Sequence, residues 1–142
     1  MKATAMLDPV IRPEAQRKDT VIHFDEGLIG FSECKEFQLM ESADIAPFRL
    51  LQSAEAKEVG FLVLEPASVI PRYDERIPFR EWESIGLQPG DPHLAFVICI
   101  IGKTTRDSTG NFQAPLIINY KTMMGRQVIL TDVGLSVRQP LA

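Results

Sequence analysis

The stretch Asn111-Phe112-Gln113-Ala114-Pro115-Leu116-Ile117-Ile118-Asn119-Tyr120, then Lys121-Thr122-Met123-Met124-Gly125-Arg126, then Gln127-Val128-Ile129-Leu130, decides how the chain folds. Leu116–Ile118 and Val128–Leu130 are short, β-prone apolar runs, and a polar connection separates them. That arrangement predicts a β-hairpin. Gly125 is placed to supply the positive φ that a longer hairpin loop needs. Pro115 has no amide to give a ladder, so it belongs at the first residue of its strand or on an edge.

Working outward, the same signals recur. Val21–Phe24 reads as a short strand, and Glu36–Met40 alternates Phe37 and Leu39 against polar neighbours. Phe48–Gln52 and Gly60–Leu64 give two more strands, with the short, charged Ala54–Val59 as their hairpin connection. Gly27 and Gly30 bracket Leu28-Ile29, which predicts a glycine-pinned turn that tucks apolar residues inward. Its G-x-x-G spacing is also that of a phosphate clamp, but its centre is apolar and no basic residue stands beside it. Pro78–Ile85 is the best helix, with Pro78 at its start, Gly86 as its stop, and Phe79, Trp82 and Ile85 on one face. Leu94–Ile101 is apolar throughout, so both faces of that strand should be covered, the outer one by the helix or in part by a partner. Val133–Leu141 offers a last strand through Val133, Leu135 and Val137, and Met1–Asp19 at most an edge strand at Val10-Ile11. The expected fold is all-β: a small antiparallel β-barrel-like domain of roughly eight to ten strands with one short helix, residues 1–142 forming a single unit.

Charge narrows the partners. A net charge of −4 and no Lys/Arg cluster beyond Arg17-Lys18 argue against nucleic acid, which asks for a basic stripe. A protein partner, possibly a basic one, fits better. The longest apolar run, Leu94–Ile101, is far short of the ~20 residues that span a bilayer. Asp8, Pro9 and Arg12 interrupt the start before a signal-peptide core can build. Cys34 and Cys99 are too few for a metal site or a disulfide framework, so two reduced thiols in a cytoplasmic protein are expected. His23 and His93 stand apart from any nucleophile or second histidine at a motif spacing. The expectation is a protein that is not an enzyme and has no cofactor and no metal.

The quoted stretch also carries a family signature. Its Asn-x-x-Ala-Pro-x-x-Ile-Asn followed by Gly-x-Gln-Val-x-Leu resembles the flagellar assembly factor FliW family. Glu26-Gly27-Leu28-Ile29-Gly30-Phe31 resembles that family's Gly-Leu-Pro-Gly-Phe element, with Ile29 where the family has proline. Leu51-Gln52-Ser53, Glu65-Pro66 with Tyr73, and Arg138-Gln139-Pro140-Leu141 follow in the family's order, from about Val21 to Leu141; the first twenty residues match poorly.

The resemblance implies a cytoplasmic protein that binds newly made flagellin as a chaperone and antagonises the RNA-binding translational regulator CsrA. Flagellin synthesis is thereby coupled to export. Two alternatives are a small barrel that binds nucleic acid directly, and a flagellar export chaperone without a regulatory role. Candidate partner-binding residues are Tyr73, Asn111, Phe112, Gln113, Asn119, Met123, Met124 and Arg126, beside the outward face of Leu94–Ile101. For Tyr73 the competing role is a packed loop anchor, and for the asparagines it is bonding to local backbone. The two methionines are singled out because flexible thioethers suit an adaptable apolar contact.

Overall fold

Alternating burial fixes the first strands. In β1 (Val21–Phe24), Ile22 and Phe24 are wholly inside while their neighbours are half-buried. A period of two allows only one register that hides this set. The computed structural model describes residues 21–132 and 134–142. β2 (Glu36–Met40) repeats the alternation with Phe37 and Leu39, and β3 (Arg49–Ser53) and β4 (Gly60–Leu64) extend an antiparallel meander. A helix of one turn, α1 (Phe79–Glu83), precedes the long strand β5 (His93–Ile100). Then come β6 (Thr109–Gly110), β7 (Leu116–Asn119), β8 (Met124–Gln127) and β9 (Gln139–Pro140).

Seven of these strands close into a barrel, in the order β1, β2, β3, β4, β5, β7, β8 and back to β1. Strand direction cannot alternate all the way round an odd ring, so one neighbouring pair has to be parallel. That pair is β1–β8, with His23 opposite Met124 and Phe24 opposite Gly125. β6 and β9 add a short flap beside the end of β5.

The two faces of β5 feed two cores. Phe96 points into the barrel with Ile22, Phe24, Phe37, Val63 and Ile118. Ala95 and Val97 point outward onto Trp82, Tyr73, Val128 and Leu135. Both faces are therefore covered along most of the strand, as its unbroken apolar run requires. Pro78 caps the helix in an extended conformation and Gly86 ends it at φ +80°, so the helix lies inside the expected Pro78–Ile85 span. A single turn has almost no stability of its own; Trp82, buried in the outer core, holds it.

Three expectations need correction. The second strand of the quoted hairpin is Met124–Gln127, not Val128–Leu130, because the turn closes early, over Tyr120–Met123. The residue with positive φ in that turn is Met123, at +61°, not Gly125. Gly125 lies in the strand, where a Cβ would stand 2.7 Å from Phe24 Cε2 and 2.9 Å from Ile22 Cγ2. Its small size is needed at the parallel seam. The last strand is only Gln139–Pro140; Leu135 is buried but Val137 is exposed, so the alternation there does not mark a strand. Val133 and the edge strand at Val10-Ile11 lie outside the described residues.

Candidate partner-binding cleft

The glycine-pinned turn builds one wall of the site. Gly27, at φ +66°, approaches the Phe31 carbonyl so closely that a Cβ would sit 2.6 Å from it. Leu28 and Phe31 bridge across the turn. Leu28 tucks into the barrel as expected, but Ile29 does not: it stands outward, 60% exposed. The Ile29 amide donates to Gln127 Oε1 at 2.8 Å, and Gln127 Nε2 donates to the Ala114 carbonyl at 3.1 Å. This one carboxamide spans from the turn to the approach of β7.

Above Gln127 opens a cleft of about 270 Å³, lined by Ile29, Phe61, Ile98, Ile100 and Val137, with Asn111 on its rim. Phe31 meets Phe61 edge to face at 5.3 Å. Ile100 is 70% exposed and Val137 53%. Among the described residues none that lines the cleft is ionisable. Its volume falls just under the usual range for small-molecule pockets, and it suits a few apolar side chains of a larger partner.

A larger hollow of about 480 Å³ is lined by Leu39, Glu41, Arg49, Asp91, His93 and Tyr120 among others. Its charged side chains already have partners within the chain. Arg49 reaches Glu41 at 3.3 Å and Glu65 at 3.2 Å while lying over the Phe96 ring. Asp91 Oδ2 accepts the Gln88 amide, and the His93 ring bonds the Asp91 carbonyl. The smaller, uncharged cleft is the better docking surface.

The candidate residues divide between the interior and separate parts of the surface. Tyr73 and Phe112 are fully buried, their rings edge to face at 5.5 Å, and the Tyr73 hydroxyl donates to the Phe112 carbonyl. Burial pushes that hydroxyl well above the ordinary tyrosine range. Asn119 is buried as well; its Nδ2 donates to the Ile85 carbonyl at 2.9 Å and its Oδ1 accepts the Lys121 amide at 3.0 Å. These three are anchors that leave a partner no side-chain surface, which corrects their candidacy as contacts. Asn111 Oδ1 accepts the Gln113 amide at 3.2 Å, and Gln113 is half-buried.

Met123 packs against the barrel core. Met124 and Arg126 line a separate hollow of about 170 Å³ beside Asp25 and Glu26, where Arg126 pairs with Glu26 at 3.4 Å. Only Asn111 reaches the apolar cleft. Of the residues that make the cleft, Ile29 and Val137 were not among the candidates, and Ile100 belongs to the Leu94–Ile101 run whose outward face was. One signal points to Ile29, an apolar residue at the tip of a turn between glycines, and one to Ile100, an apolar run in β5 that outlasts its covered length; none points to Val137.

Elsewhere, His23 lies on the parallel seam between two carboxylates. It bonds Glu36 through Nδ1 and Asp25 through Nε2 at 2.8 Å. The Glu36 bond, more than either Coulomb attraction, raises its pKa above the usual 6.5. Among the described residues no three His, Cys, Asp or Glu side chains gather as a metal would require. Cys34 and Cys99 are free and buried, and burial pushes the Cys99 thiol up to about 12. Among those residues no helix is long and apolar enough to cross a membrane.

A closed seven-stranded barrel with an apolar cleft at its surface defines a small β-barrel domain. The FliW protein family model matches residues 12–141, and the chain belongs to that family. The match reaches back past Val21, where the sequence motifs begin. The flagellar assembly factor FliW of Geobacillus kaustophilus strain HTA426 is 33% identical over 128 residues, covering 90% of this chain and 88% of that one. Its counterpart in Bdellovibrio bacteriovorus is 32% identical over 125 residues, covering 88% and 71%. A crystal structure of the flagellar assembly factor FliW matches with a TM-score of 0.77 at 31% identity, over 89% of this chain and 88% of that one.

Proposed function

We propose that this chain is a cytoplasmic flagellar assembly factor that binds flagellin before export and antagonises CsrA. The observation that carries the reading is the cleft, where Ile29, Ile100 and Val137 stand exposed together. Flagellin ends that have not yet assembled are amphipathic, as the family resemblance implies, and need an apolar surface to shield them. The net charge of −4 suits the second partner, a basic RNA-binding protein. Coupling follows by mass action, since flagellin that holds the factor depletes what is free to capture CsrA.

Calorimetry with purified flagellin and purified CsrA tests the reading. Both should bind directly and without RNA. The CsrA complex should weaken as ionic strength rises, because attraction between exposed charges is screened. Failure to bind CsrA at low salt while flagellin still binds would reduce the role to an export chaperone. Failure to bind either would end the proposal.

A further inference from the structure

We infer that the edge of the extended chain that continues beyond β8 through Ile129 to Thr131, beside the cleft, accepts an extended segment of a partner protein as an added strand. The inference rests on reading the cleft as the partner-binding site, and it specifies how the partner lies there. Val128 donates to the Pro115 carbonyl at 3.0 Å and Leu130 to the Gln113 carbonyl at 2.8 Å, so both face the chain leading into β7. Backbone groups of successive residues in an extended strand point to opposite sides. The amide and carbonyl of Ile129 therefore point away from β7, as does the amide of Thr131. Among the described residues none of the three has a hydrogen-bond partner. β1 covers this side of β8 only as far as Phe24, opposite Gly125, and then leaves at the Gly27 turn.

Natural sheets usually blunt such an edge with charge, proline or a covering loop. Here Ile129 lies on it 65% exposed, two residues beyond Gln127, which floors the cleft. A strand added along the edge would satisfy these groups and bring alternate side chains over the cleft. Since among the described residues no lining residue is ionisable, a charge on those side chains would lose its water without gaining a counter-charge there. The occupant is therefore an extended segment whose cleft-facing positions are uncharged and apolar.

The test uses the full chain and, as probe, a capped octapeptide of alternating threonine and valine with a polyethylene glycol tail. In the free chain, amide exchange followed by NMR should find Ile129 and Thr131 unprotected and Val128 and Leu130 protected. Protection of Ile129 in the free chain would mean the edge is already covered, and would overturn the inference. The peptide should protect Ile129 and Thr131. The same peptide N-methylated at alternate residues should bind at least tenfold more weakly, because it cannot pair. Equal binding of the two peptides, or no binding at millimolar concentration, would overturn the inference. Ile129→Pro should keep the fold, since that amide serves no ladder, and should lose the peptide at least tenfold. If that variant does not fold, the comparison of the two peptides on the unaltered chain decides. Flagellin titrated into the unaltered chain in parallel keeps the readings apart: failure of that chain to bind the peptide alone sinks the added strand, and its failure to bind flagellin alone sinks the proposed function.

Discussion

Tyr73 spends its hydroxyl on the Phe112 carbonyl in a fully buried setting. Tyr73→Phe keeps the ring and strands that carbonyl, so urea unfolding should show a loss of about 1–3 kcal/mol with flagellin affinity unchanged. An unchanged midpoint would mean the bond contributes nothing net. His23 makes a pH-dependent contribution. Its pKa is raised in the folded chain, so the stabilisation is fully present below 6.5 and fades as pH climbs through the folded value. Urea midpoints at pH 6 and pH 9 should therefore differ more in the native chain than in His23→Gln, and equal differences would refute the clamp. Little at this scale was legible in the sequence. Tyr73 was recognisable as a possible loop anchor, but its partner lies far along the chain, and nothing local to either residue announces the bond. Gly125 was recognisable as a required glycine, but for a turn; the need comes from Phe24 and Ile22 on a distant strand.

At the scale of elements, short β-prone apolar runs were a good guide. They located β1, β3 and β4, alternation located β2, and the unbroken apolar run foretold that β5 would be covered on both sides. They failed at the second strand of the hairpin because β propensity locates apolar residues, whereas register is set by the turn. Closing over Tyr120–Met123, the turn starts the pairing at Asn119 and Met124 and sends Val128 and Leu130 into the outer core. The helix depends on that core through one residue. Trp82→Ala should cost about 3–5 kcal/mol, the usual range for emptying a large aromatic from a core, and should release the 78–86 segment to proteolysis before the barrel opens. A loss under about 1 kcal/mol would mean the helix is an ornament and the outer core stands without it.

For the whole molecule, the barrel class was legible because strands of this length and number have few ways to bury one face each. The parallel seam was not, since only the count of strands in the closed ring requires it. The cleft was not legible either: Ile29, Phe61, Ile100 and Val137 come from widely separated parts of the chain and meet only when the barrel closes. The family motifs mark the turn and hairpin that build one side of the cleft, and they say nothing of its mouth. The central claim, that this cleft holds flagellin, is tested most directly by titrating flagellin calorimetrically into the native chain and into the Ile29→Ser, Ile100→Ser double variant. Both side chains are exposed, so the melting temperature should hold while affinity falls by about 1–2 kcal/mol, roughly tenfold. Undiminished affinity in a variant that melts like the native chain would contradict the claim.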